Sequence, residues 1–138
     1  MEQKDYLTRQ AEIFGQVLGK ILANSLHLKN QEQTSNSIAI TIRTFSEDLG
    51  LDIMALIATE PDDLIKMLLT EKKFSSGNLE QFADILFIMA ENMSQKEKDQ
   101  LNKKCLAIYE YIEVADTTYS FNRQWKIEKI KTDLLPVW

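Results

Sequence analysis

The side chains best suited to covalent chemistry are Cys105 and His27, and each is the only one of its type. A cysteine beside an imidazole can act as a thiolate nucleophile, but it needs an electropositive, partly exposed setting. Cys105 lies inside the apolar helical run LNKKCLAIYEYI with no local activating signature, and reads as a small buried hydrophobe. His27 falls at the end of the first helical run, where a cationic imidazole complements the helix dipole. One histidine supplies no metal pair, and one cysteine forms no disulfide within the monomer. The acids Glu47, Asp48, Asp52, Glu60, Asp62 and Asp63 match neither a calcium loop nor paired helix-borne metal ligands. They read as a solvated acidic face, with a rim for a basic partner as the competing use. Gly15 and Gly19 sit within a helical run while Gly50 and Gly77 stand alone, so there is no glycine-rich phosphate loop. These residues predict a protein that is not an enzyme and uses no cofactor and no metal.

What the chain does concentrate is aromatic area. Tyr109, Tyr111, Tyr119, Phe121 and Trp125 gather around one expected helix-to-helix turn. Aromatics at helical spacing build cores, yet Tyr and Trp are also enriched in binding hot spots. Two readings therefore stand for these five: core residues, or a candidate protein-binding surface. Arg123, Lys126, Lys129 and Lys131 border the region, so a partner docking there would be acidic.

Helices must position these groups, because only four glycines and two prolines occur in 138 residues. With 44% apolar and 27% charged residues the chain is globular and ordered. Its length fits a single domain over residues 1–138, burying roughly two thirds of the unfolded surface. The net charge is −5, which argues against nucleic acid, whose binding needs basic patches to release counterions. Residues 1–93 hold 8 Lys/Arg against 14 Asp/Glu, and residues 94–138 hold 8 against 7. The opening MEQKDYLTRQ lacks a basic leader, and Glu12, Gln16, Lys20 and Asn24 interrupt the apolar stretch behind it. Neither a signal peptide nor a membrane span fits, so a cytoplasmic location is expected.

The first helix is expected over Lys4 to Leu28, with Leu7, Ala11, Phe14, Leu18, Ile21, Ser25 and Leu28 forming a heptad seam. Tyr6, Ile13, Val17, Leu22 and Leu26 broaden its apolar face, which suits either a core helix or a homodimer seam. Ala11, Gly15 and Gly19 form a stripe of small residues, read as a close helix crossing. Residues 29–37 are wholly polar and connect to the middle helices, residues 34–74. Ile38, Ile40 and Ile42 alternate like a strand, but the stripe Ile38, Ile42, Phe45, Leu49 ending at Gly50 favours a helix. Pro61 with Asp62 and Asp63 marks a further helix start. Residues 78–134 then read as a three-helix array: Asn78 as N-cap, Ser94 and Glu97 as a capping box, and a short turn at Asp116-Thr117-Thr118.

The blocks DYLTRQAEIFGQVLGKIL, NLEQFADILF and IYEYIEVADTTYSFNRQWKIEKI resemble a family of small bacterial all-helical proteins without assigned function. The last two blocks also resemble tetratricopeptide-like hairpins, which implies protein binding in a concave groove. The 42-residue offset from Leu79 to Phe121 departs from the roughly 34-residue tetratricopeptide period. The expectation is an all-α domain of six to seven helices, its long N-terminal helix packed on a C-terminal helical-hairpin array. The expected role is a protein-interaction or adaptor module of bacterial cytoplasm with a protein partner. A homodimer through the first helix is the second possibility for partners, and a small-molecule-binding protein or enzyme is the alternative function.

Overall fold

Few glycines and prolines leave long uninterrupted runs at helical spacing, and helices are what form. The structure is a computed structural model that describes residues 2–29 and 40–135, with side chains described for 9–23 and 40–135. Among these residues there are seven helices and no strand: α1 (Glu2–Lys29), α2 (residues 40–44 running into a π-helical turn, Phe45–Leu49), α3 (Ile53–Ile57), α4 (Pro61–Thr70), α5 (Ser76–Ala90), α6 (Gln95–Ala115) and α7 (Phe121–Leu134). No helix among them is long and apolar enough to cross a membrane.

The helix ends follow from local chemistry. Gly50 stops α2 in the left-handed conformation (φ 64°), where a side chain is unfavourable. Leu51 N–H then closes onto the Phe45 carbonyl at 3.0 Å. The Asp52 carboxylate caps α3, accepting from the N–H groups of Met54 and Ala55. Pro61 opens α4, where a missing N–H costs nothing, and Asp62 and Asp63 face the positive end of its dipole. The expected Asn78 cap is corrected. Ser75 is the N-cap of α5, and Asn78 is the third helical residue, completing a capping box with it. At α6, Ser94 Oγ accepts from Glu97 N–H at 3.4 Å, so only the serine half of the expected box forms.

The core gathers around α5, which buries nine of its fifteen residues. It packs most extensively on α6 and on α1, while α6 also contacts α7, α4 and α3. The long N-terminal helix therefore does lie on the C-terminal array. Phe14, Phe74, Phe82 and Phe45 form a chain of tilted and edge-to-face rings, 5.3, 6.1 and 5.6 Å apart, joining α1, α2 and α5. On α1, Leu18 and Ile21 are buried and Phe14, Val17 and Leu22 pack against the core, whereas Ile13 is exposed. The side chains of Tyr6, Leu7, Ser25, Leu26 and Leu28, assigned to the same face, lie outside the described residues.

The small stripe of α1 meets two side-chain amides from α5. Asn78 Nδ2 donates to the Ala11 carbonyl at 3.0 Å, and Gln81 Nε2 donates to the Gly15 carbonyl at 3.1 Å. A Cβ built at Gly15 would lie 3.6 Å from both amides, and one at Gly19 would lie 3.5 Å from Gln81. These are ordinary van der Waals separations, so alanine fits at either position. Glycine costs a helix interior about 1 kcal/mol relative to alanine. Gly15→Ala and Gly19→Ala are each expected to raise stability by about 1 kcal/mol, read from the urea midpoint. A loss of stability in either variant would show that the crossing has no room for a methyl group.

Candidate functional site

Residues 116–120 join α6 to α7 without regular structure, and two polar side chains shape the join. Asp116 Oδ1 accepts from Thr118 N–H at 2.9 Å, and Ser120 Oγ accepts from Arg123 N–H at 3.2 Å, capping α7. The hydrogen bonds from Thr118 hold the Asp116 carboxyl below its usual range. These contacts bring α7 back across α5 and α6.

Two ionic nodes hold α7 there. Arg123 is 4% exposed and spreads its fork over three partners. Its Nε donates to Glu113 at 2.5 Å, its Nη1 to both Glu80 oxygens at 2.8 and 3.1 Å, and its Nη2 to the Thr118 carbonyl at 2.6 Å. Burial opposes the charged guanidinium, but the bonds to Glu80 and Glu113 outweigh it and raise the Arg123 pKa. At the second node, Asp84 Oδ1 accepts from Tyr109 Oη at 2.6 Å and from Lys126 Nζ at 2.9 Å. Lys126 also stands over the Phe87 ring, 5.9 Å from its centroid.

The five aromatic residues divide among three settings. Tyr109 is fully buried, a correction to its assignment to a binding surface. Its neighbour Ile108 points into the core, and the Asp84 carboxylate draws the phenol inward as well. Burial above all, with the nearby Cys105 and Asp84, pushes the Tyr109 hydroxyl far above the ordinary phenol range. Tyr111 is half-buried in a groove of ≈ 460 Å³ between α4 and α6, beside Asp62, Ile65, Ala107 and Glu110. Tyr119, Phe121 and Trp125 are 62, 80 and 59% exposed. Tyr119 and Phe121 stack edge to face at 5.0 Å, and Trp125 lies one helical turn beyond Phe121. The Trp125 ring leans on buried Phe87 at 6.2 Å and lines a groove of ≈ 260 Å³ with Leu22, Asp84, Ile88, Glu91 and Lys126.

The basic border expected to meet an acidic partner is largely engaged by the chain itself. Arg123 is buried on its own glutamates, Lys126 pairs with Asp84, and Lys129 pairs with Asp133 at 3.7 Å. Glu80, Glu113, Asp84, Phe87 and Leu22 are the residues that sequence reasoning left out of this region. One signal did point to Arg123: it is the single arginine in residues 94–138, among seven lysines. Buried, forked ion pairs select arginine over lysine.

Cys105 is fully buried, its thiol donating weakly to the Ala83 carbonyl at 3.5 Å. Burial first, then the Asp84 charge, push the thiol pKa up, away from the reactive thiolate. The His27 side chain lies outside the described residues, so its pairing with Cys105 does too. No group of three or more metal-ligating side chains is assembled among the described residues. In comparisons with known proteins, no family model, no curated protein and no solved structure matches this chain.

Proposed function

We propose that the chain is a non-catalytic protein-interaction or adaptor module of bacterial cytoplasm that binds its partner with the ridge Tyr119, Phe121 and Trp125. The observation that supports this reading is the exposure of three large aromatics, Tyr119 in the join and Phe121 and Trp125 on α7, beside a buried charge clamp. Such residues offer much apolar area at low conformational cost, and truncating a hot-spot aromatic weakens binding by at least about 2 kcal/mol, roughly thirtyfold. Arg123 and Lys126 act beneath the ridge as supports, so its substitution need not disturb the fold.

The small-molecule alternative has less support. The groove at Trp125 is ≈ 260 Å³, below the range of roughly 300–1,000 Å³ typical of ligand pockets. Its acid, Asp84, already accepts from Tyr109 and Lys126. The larger groove beside Tyr111, ≈ 460 Å³, lies open on the surface between α4 and α6. Among the described side chains of α1, Leu18 and Ile21 face the chain's own core and Ile13 is exposed, so a homodimer through this stretch would use the outer edge at Ile13.

The test is the double variant Phe121→Ser/Trp125→Ser. It is expected to keep the wild-type circular dichroism spectrum and melting temperature while losing the proteins that the wild-type chain captures from its host. An unchanged captured set with the fold intact would sink the proposal.

A further inference from the structure

Among its neighbours, α7 is seated in an unusual way. Of its fourteen residues only Arg123, Ile127 and Ile130 are buried, whereas α5 buries nine of fifteen. Its seat depends on charge: Arg123 on Glu80 and Glu113, Lys126 on Asp84, and Asp133 on Lys98 at 4.0 Å. One edge of that seat is incomplete, and a buried donor on α6 lacks a partner. On the α5 side, the groove between Leu22, Phe87 and Trp125 undercuts the helix. On α6, Asn102 lies on the stripe Lys98, Asn102, Cys105, Tyr109, whose ends reach Asp133 of α7 and Asp84. The Asn102 Nδ2 is buried without a hydrogen-bond partner. A buried donor left unpaired costs free energy that water restores wherever an opening exposes it.

We propose that α7 is a displaceable latch: it swings out as one helix about residues 116–120, releasing the Arg123 clamp and uncovering the α5–α6 face that holds Tyr109 and Cys105. The hinge is the irregular join, tied by the Asp116–Thr118 bond and by Arg123 Nη2 on the Thr118 carbonyl. The swing parts one buried guanidinium from two carboxylates that already touch solvent, with side chains 30% and 29% exposed. All three regain water in the open form, which preserves the packing of α5 on α6. Elements held by few buried apolar groups open at lower free energy than the core. Cys105 is the built-in reporter, because it is the only cysteine, is fully buried, and stands one helical turn from Tyr109, whose hydroxyl shares Asp84 with Lys126 of α7.

The test combines amide hydrogen exchange with N-ethylmaleimide labelling of Cys105 in the intact chain, across urea concentrations below global unfolding. The expected result is that α7 amides exchange at least a hundredfold faster than α5 amides, with a weaker urea dependence. Cys105 labelling should follow α7 rather than α5. In Arg123→Gln, labelling should speed at least tenfold while α5 amides remain far slower to exchange than α7 amides. Glu113→Gln, the milder change, should give a several-fold increase by the same route. Exchange of α7 and α5 through one common opening overturns the latch, as does Cys105 labelling only on global unfolding.

Discussion

Arg123→Met lowers the free energy of unfolding by about 3 kcal/mol, measured as a fall in the urea midpoint of the helical circular dichroism signal. The methionine matches the aliphatic stem but removes the fork that joins α5, α6 and the 116–120 join. Removing one partner of a buried pair costs roughly 3–5 kcal/mol, because the remaining charge is left buried and unpaired. Here the remaining charges are Glu80 and Glu113, whose side chains are 30% and 29% exposed and can turn to water, which places the loss near the low end. Arg123→Lys should rescue little, since one ammonium cannot reach three directions at once. Glu113→Gln should cost less than half as much, because the amide oxygen still accepts from Nε and Glu80 remains. Replacing Arg123, Glu80 and Glu113 together with apolar residues of similar volume should restore most of the stability. The contribution of the clamp is then the definite seating of α7 rather than net stability. A wild-type midpoint in Arg123→Met would remove the clamp from the account.

The helices were legible because each rests on local chemistry. Gly50, Pro61 and Ser94 mark ends that adjacent residues alone decide, and the buried stripe Leu101, Cys105, Ile108, Ile112 follows from the 3.6-residue period. The candidate surface was only half legible, and Tyr109 and Trp125 show why. Both are aromatics at the edge of an amphipathic face. Their fates are set by Asp84 and Phe87, 25 and 38 residues away, in contacts that no local period encodes. Arg123 was misread for the same reason: a basic residue beside exposed aromatics looks like part of the surface until its glutamates are placed. The strand-like alternation at Ile40 and Ile42 lost to helix because no partner strand occurs among the described residues to take up its hydrogen bonds.

Asn78→Ala should cost about 2–3 kcal/mol, because one side chain serves two junctions. Its Oδ1 accepts from Ser75 N–H at 3.0 Å, completing the cap of α5, and its Nδ2 reaches across to the Ala11 carbonyl of α1 at 3.0 Å. A cap is worth about 1 kcal/mol, and a buried carbonyl contact of this kind adds a comparable amount. Ser75→Ala separates the two roles: it removes the Ser75 Oγ bond to Asn78 N–H and should cost only the capping share. Asn78→Asp separates them from the other side. The carboxylate still accepts from Ser75 N–H, but it has no donor for Ala11 and carries a charge at a residue 3% exposed. It should therefore destabilise at least as much as alanine, although aspartate is an excellent capping residue on an exposed helix. The expected order of loss in urea titrations is Ser75→Ala, then Asn78→Ala, then Asn78→Asp. If Asn78→Asp instead unfolds at the wild-type midpoint, the bond to Ala11 contributes nothing and α1 is held on α5 by apolar packing and the Gln81–Gly15 bond.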